Sequence, residues 1–108
     1  MLDIKCIITI VERGKADKIV KHAKKAGASG ATIMYGRGTG EHEIKRFLNI
    51  NIDSSKEIII ILTETEKYKP IKEAIIKAGR IKEAGTGIVF TLPVTDLVGL
   101  HHRGEFDK

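Results

Sequence analysis

The chain has 108 residues, 42% hydrophobic and 31% charged, with 19 Lys and Arg against 14 Asp and Glu for a formal net charge of +5. That length and balance predict one globular domain over residues 1–108, with a real core but no room for a second, and exclude a largely disordered chain. The excess of cations, with a pI near 9.4, favours anionic ligands or partners without choosing among them.

The first apolar run, residues 4–12 (IKCIITIVE), is rich in β-branched residues and reads as a strand with two apolar faces, Ile4, Cys6, Ile8 and Ile10 on one and Ile7 and Val11 on the other. Lys5 and Glu12 interrupt it, so neither a signal peptide nor a membrane span is expected, and the protein reads as cytoplasmic, meeting a membrane only through a partner. Cys6, the single cysteine, fits a buried thiol in a reducing compartment. After a turn at Gly14, residues 15–26 place Ala16, Ile19, Val20, Ala23 and Ala26 at helical spacing, and Gly27 is the expected stop. Lys15, Lys18, Lys21, His22, Lys24 and Lys25 spread around the same helix as a solvated face.

Residues 29–35 (SGATIMY) read as a second strand, ended by Gly36, Gly38 and Gly40. Residues 41–47 read as charged and irregular. Leu48, Ile50 and Ile52 then alternate with Asn49, Asn51 and Asp53, so a strand begins before a short break at residues 53–55, through a bulge or a hairpin. Residues 57–64 (EIIIILTE) give the strongest strand of all. A helix is expected over residues 68–78, with Pro70 near its first turn and Ile71, Ala74, Ile75 and Ala78 facing the core. Gly79 ends it, and residues 88–94 form the fourth long strand.

The two halves echo each other. Lys15, Ile19, Lys25, Ala26 and Gly27 match Lys67, Ile71, Lys77, Ala78 and Gly79 at one offset (67 − 15 = 52), and Glu12 matches Glu64. Ile33 then aligns best with Val89 at an offset of 56, so four extra residues fall within residues 80–86. The duplicated βαβ unit gives β-α-β-β-α-β, an α+β, ferredoxin-like sandwich: a four-stranded antiparallel sheet with two helices on one face. Its other face would leave isoleucines in water, so the chain is expected to oligomerise sheet against sheet.

The enlarged connection carries Gly85 and Gly87 around Thr86. Glycines there could turn successive N–H groups onto an anion, with Lys82 and Arg80 adding charge. A lone G-x-G is a weak signal, and a flexible loop that merely closes the connection is the competing reading.

Two stretches together resemble the PII signal-transduction family of nitrogen and carbon regulators, over about the first 94 residues. The family's Gly-Asp-Gly-Lys-Ile-Phe-Val-x-Pro-Val looks like Gly85-Thr86-Gly87-Ile88-Val89-Phe90-Thr91-Leu92-Pro93-Val94 here. Its Thr-Gly-x-Thr-Val with Gly-Phe-Gly-Arg-Gln looks like Ser29-Gly30-Ala31-Thr32-Ile33 with Gly38-Thr39-Gly40-Glu41-His42. The resemblance implies a homotrimer that binds ATP, ADP or another adenine nucleotide in clefts between subunits and regulates a transporter or metabolic enzyme. It implies that Gly85, Thr86 and Gly87, with Lys82, hold phosphates, that Thr32 sits near the base, and that Gly38, Thr39 and Gly40 root a mobile loop over residues 37–55. Residues 80–87 would form the ligand loop and residues 95–108 a tail bringing His101 and Arg103 to the cleft.

The chain also departs from that pattern. Ile88 replaces the phosphate-neutralising lysine, leaving Lys82, Arg80 or Arg103 to substitute, and Gly99 and His101 stand where two family arginines reach the phosphates. His42 replaces the glutamine that helps hold magnesium and 2-oxoglutarate, and residues 41–56 contain no tyrosine to be uridylylated. His42, His101 and His102 are the weak candidates for a metal, since no H-x-x-x-H or C-x-x-C spacing supports one. No Ser-His-Asp or Cys-His constellation points to an enzyme. Residues 58–61 and 32–35 lack the paired exposed aromatics of an RNA-binding sheet, so no nucleic-acid partner is expected. The alternative is a trimeric ferredoxin-like scaffold or metal-binding protein of the divalent-cation tolerance type, without nucleotide sensing.

Overall fold

The computed structural model describes residues 3–39, 45–47, 50–52 and 54–99. In chain order they form β1 (Ile4–Glu12), α1 (Ala16–Lys25), β2 (Thr32–Gly38), β3 (Lys45–Phe47), β4 (Ile50–Ile52), β5 (Ser54–Glu64), α2 (Thr65–Gly79) and β6 (Gly87–Val94). The long strands make one antiparallel sheet in the order β2-β5-β1-β6, while β3 and β4 pair only with each other. Apart from that small ladder the order is βαββαβ, and the ferredoxin-like sandwich is the fold.

Alternation along β1 and β5 decides which side chains meet the helices. Ile7 and Val11 of β1 and Ile59 and Ile61 of β5 turn to one face, where Ile19 and Ala23 of α1 and Ile71 and Ile75 of α2 bury them almost completely. Each isoleucine removed from water there contributes roughly 1.5–3 kcal/mol. The opposite face carries Cys6, Ile8 and Ile10 of β1, Ile58, Ile60 and Leu62 of β5, and Ile88, Phe90 and Leu92 of β6. No described helix covers it: Phe90 remains 40% exposed, Leu92 47% and Ile88 55%. Cys6 is half-buried on this face, and desolvation pushes its thiol above its ordinary value, away from the reactive thiolate.

A residue that sequence patterning passed over closes the first helix. Lys15, at the N-cap of α1, offers no side-chain cap. Glu57, buried on β5, takes that role: its Oε1 accepts the Gly14 N–H at 2.8 Å and the Ala16 N–H at 2.9 Å. The carboxylate therefore satisfies orphan donors at the positive end of the helix dipole.

Several sequence-based boundaries shift. The second strand begins at Thr32 rather than residue 29, and Gly36 lies inside it while Gly38 is its last residue. A neighbour lies close over Gly36, where a Cβ would stand 3.1 Å from Ile58 Cδ1, whereas a Cβ on Gly38 would make only ordinary contact, 3.7 Å from Lys56 Cγ. Lys45–Phe47 is a strand where irregular chain was expected, and Ser54 and Ser55 belong to β5 rather than to a break. The second helix starts three residues early, at Thr65, whose N–H donates to Asp3 O at 3.0 Å, so Pro70 falls beyond the first turn.

Gly79 is the last residue of α2, as the repeat suggested, but it is not the residue that turns left-handed. It lies buried at the end of α2, where a Cβ would come 2.9 Å from Ile81 Cδ1 and 3.1 Å from Ile19 Cδ1, so its smallness lets the helices approach. The reversal falls on Arg80, left-handed at φ 54 and the only described non-glycine residue with positive φ. Both helices nevertheless close with the same pair of hydrogen bonds, Ala28 N–H to Ala23 O and Gly27 N–H to Lys24 O in α1, Ile81 N–H to Ile76 O and Arg80 N–H to Lys77 O in α2.

The register also revises the size of the insertion. Ile33 stands opposite Ile59; the residue equivalent to Ile59 in the first strand is Ile7, and Ile7 stands opposite Thr91. The equivalent of Ile33 is thus Thr91, at an offset of 58 (91 − 33), two residues beyond the offset of 56 given by sequence alignment. Part of the excess is strand rather than loop, because β6 pairs with β1 from Gly87, opposite Val11.

Candidate functional site

The connection from α2 to β6 is built to stay folded without a core of its own. Arg80 Nε donates to Glu83 Oε2 at 2.7 Å, and the Glu83 N–H donates to Arg80 O at 3.0 Å, closing one turn. The Thr86 hydroxyl reaches back to Arg80 O at 2.7 Å and Glu83 O at 2.9 Å. Gly85, at φ 79, has open space around the position of a Cβ, so its conformation alone demands glycine. Gly87, at φ 148, has a second reason: a Cβ would meet Ile10 O at 2.5 Å and Val11 Cγ1 at 2.8 Å. Among the described residues, the Ala84 and Gly85 N–H groups have no backbone acceptor.

This loop forms one wall of a cavity of about 520 Å³ at the end of the uncovered sheet face. Lys82, Glu83, Ala84, Gly85 and Gly87 line that wall, and Arg37, Gly38 and Thr39 from the end of β2 form the facing one. Ile10, Ile58, Ile81 and Ile88 supply an apolar floor, with Lys56 beside them. The volume falls within the range of small-molecule pockets, and apolar walls with a few polar groups are their usual composition. Lys56 is nearly buried, and its ammonium lies 2.5 Å from Glu12 Oε2 at the end of β1. Arg37 and Lys82 make no ion pair with any described residue.

Of the residues singled out in the sequence, the fold brings Gly38, Thr39, Lys82, Gly85 and Gly87 around this one cavity. Thr86 does not line it, because its hydroxyl turns back into its own loop. Thr32 shares the uncovered face but stands at the other end of β2, roughly 20 Å from Gly38 by strand geometry. Gly40, His42, His101, His102 and Arg103 lie outside the described residues. No group of three or more His, Cys, Asp or Glu side chains among the described residues is placed to hold a metal ion. No described helix is long and apolar enough to cross a membrane.

Sequence reading missed Arg37, Lys56 and the isoleucine floor, and weighed Glu83 only as a titratable group for acid-base chemistry. Strand alternation held part of that signal, since Lys56 shares a face with Ile58 once β5 is known to start at Ser54. That Arg37 and Lys82 line one cavity could not be read locally, because β2 and β6, the strands they adjoin, lie at opposite edges of the sheet.

The family model of the nitrogen regulatory protein P-II matches residues 4–103, a span that takes in both halves of the duplication and both walls of the cavity. Members of that family are non-enzymatic regulators that typically bind adenine nucleotides and act on protein targets as trimers. With a repeated βαβ unit, a ferredoxin-like sheet and a match over nearly its whole length, the chain belongs to the P-II family and has a signalling and regulatory role.

Proposed function

We propose that the chain is a homotrimeric sensor that binds a small anionic ligand, most simply an adenine nucleotide, in clefts between subunits and thereby regulates a partner protein, a transporter or metabolic enzyme of nitrogen or carbon metabolism. The observation that carries this reading is the convergence of Gly38 and Thr39 with Lys82, Gly85 and Gly87 on one cavity. The uncovered sheet face supports the trimer, since Ile88, Phe90 and Leu92 form a contiguous apolar surface beside Ile8 and Ile60. The resemblance adds Thr32, Thr86, Gly40, His101 and Arg103 to the proposed site, and supports a cytoplasmic location as part of the proposal.

A ligand touching both walls would favour one arrangement of the chain after Gly38, and residues 37–55 would present that arrangement to the partner. Without such a preference nothing is transmitted. Isothermal titration of ATP, ADP, AMP and cyclic AMP, with the assembly mass followed by light scattering, tests the proposal. Saturable binding of at least one of them to a trimer is expected. A flat response to all four by an intact trimer would overturn the sensor and leave the scaffold of the divalent-cation tolerance type.

A further inference from the structure

Resting on that reading, we infer that Glu12 competes with the bound anion for Lys56, so that the ligand binds by taking over an ion pair already made at the cavity wall. One cross-strand pair carries the inference. Glu12 ends β1 directly opposite Lys56 of β5, and the Lys56 ammonium lies 2.5 Å from Glu12 Oε2. Lys56 lines the cavity beside Ile10 and Ile58, whereas Glu12 does not. The lysine stem runs past Gly38, where a Cβ would stand 3.7 Å from Cγ and 3.9 Å from Cε, so it lies against the wall formed by the end of β2.

Burial separates the two partners. The Lys56 side chain is 10% exposed and that of Glu12 37%. An ammonium buried against isoleucines needs a countercharge, and stripping it away is costly. A ligand phosphate can supply that countercharge, but not comfortably together with Glu12: two acceptors on neighbouring N–H donors of one ammonium stand about 4–5 Å apart and repel each other. Lys56 belongs to β5, which is paired on both sides, and keeps its place. Glu12, at the end of its strand, already reaches water and regains full hydration by a side-chain rotation. The carboxylate therefore steadies the chain in the absence of ligand and opposes the ligand through the same ammonium.

The test titrates AMP, ADP and ATP into the full-length trimer and into Glu12→Gln, Lys56→Met and the double variant, each checked for trimer mass. Glu12→Gln should bind nucleotide several-fold more tightly while lowering the urea midpoint of the ligand-free protein, opposite signs that a purely structural role would not give. Lys56→Met should weaken binding about tenfold. In the Lys56→Met background, Glu12→Gln should change affinity by less than about twofold, because its effect passes through the ammonium. Lys56→Gln serves the same cycle if Lys56→Met fails to assemble. Weaker or unchanged binding by Glu12→Gln, or an equal gain in the Lys56→Met background, overturns the inference and leaves the sensor reading intact. No response of the unsubstituted trimer to any of the three nucleotides overturns the sensor reading and this inference with it.

Discussion

The two halves of the molecule use one plan and finish it differently. In the first, α1 closes on Gly27 and four residues lead plainly into β2; in the second, the same closing hydrogen bonds fall on left-handed Arg80, and residues 80–86 fold into two tied turns before β6. The first connection shows what joining a helix to an edge strand requires. What the second adds is a wall: ion-paired, hydrogen-bonded to itself and facing the end of β2 across a cavity. Duplication thus separates residues that hold the fold from residues that face a ligand.

The sharpest way to break the comparison is a valine at the glycines flanking each connection. Gly87→Val would force a side chain into Ile10 O and Val11 at a positive φ, and should cost about 4 kcal/mol or more, leaving little folded protein in urea titrations. Gly30→Val meets nothing within 4 Å and should shift the midpoint only slightly. Equal losses would show that the two connections are packed alike. Because Gly87 is needed for the close approach to β1, it cannot serve to isolate ligand binding; Lys82→Ala, on an exposed side chain, can.

Helix capping comes next in size. Glu57→Ala removes a buried carboxylate that holds two N–H groups of the first helix, and should destabilise by about 2–3 kcal/mol. Lys5 occupies the equivalent place in the second half (57 − 52 = 5), where Thr65 bonds Asp3 instead, so Lys5→Ala should cost well under about 1 kcal/mol. A small loss from Glu57→Ala at fixed protein concentration would show that the cap carries little energy.

The repeat also points to a gain. Thr9 is fully buried, and its hydroxyl finds no partner among the described residues, while its counterpart Ile61 is apolar. Thr9→Val should stabilise by about 1 kcal/mol, and a loss of that size would mean that the hydroxyl is satisfied in solution. Smallest is Arg80→Gly, which would make the second helix end like the first. It relieves left-handed strain but gives up an exposed ion pair and adds unfolded-chain entropy, for a net gain of about 0.5 kcal/mol in thermal or urea unfolding.

The sequence made the repeat, the order of the long elements and the uncovered sheet face legible, because each rests on local periodicity that the chain states twice. Glycine misled wherever its reason was a neighbour rather than a turn. Gly36 reads as an end yet lies within β2 against Ile58, and Gly79, though the last residue of α2, packs against Ile19 and Ile81 and leaves the reversal to Arg80. The early start of α2 was hidden because Thr65, Glu66 and Lys67 carry no apolar pattern, and the turn is anchored by Thr65 on Asp3, far away in sequence. Half of the candidate site was visible as the Gly85 and Gly38 motifs. The charged remainder depended on strand pairing: Lys56 meets Glu12 only because β5 lies against β1, and Arg37 and Lys82 line one cavity from opposite edges of the sheet.

The claim on which the rest depends is that the elaborated connection and the end of β2 close on one anion, whereas the plain connection does not. Amide chemical shifts followed by NMR as AMP is added to the trimer test it most directly. The account predicts concerted, saturable shifts at Gly38, Thr39, Lys82, Ala84, Gly85 and Gly87, with Gly27 and Gly30 unmoved. Shifts at the Gly27–Gly30 connection with silence at Gly38 and Gly85 would contradict it.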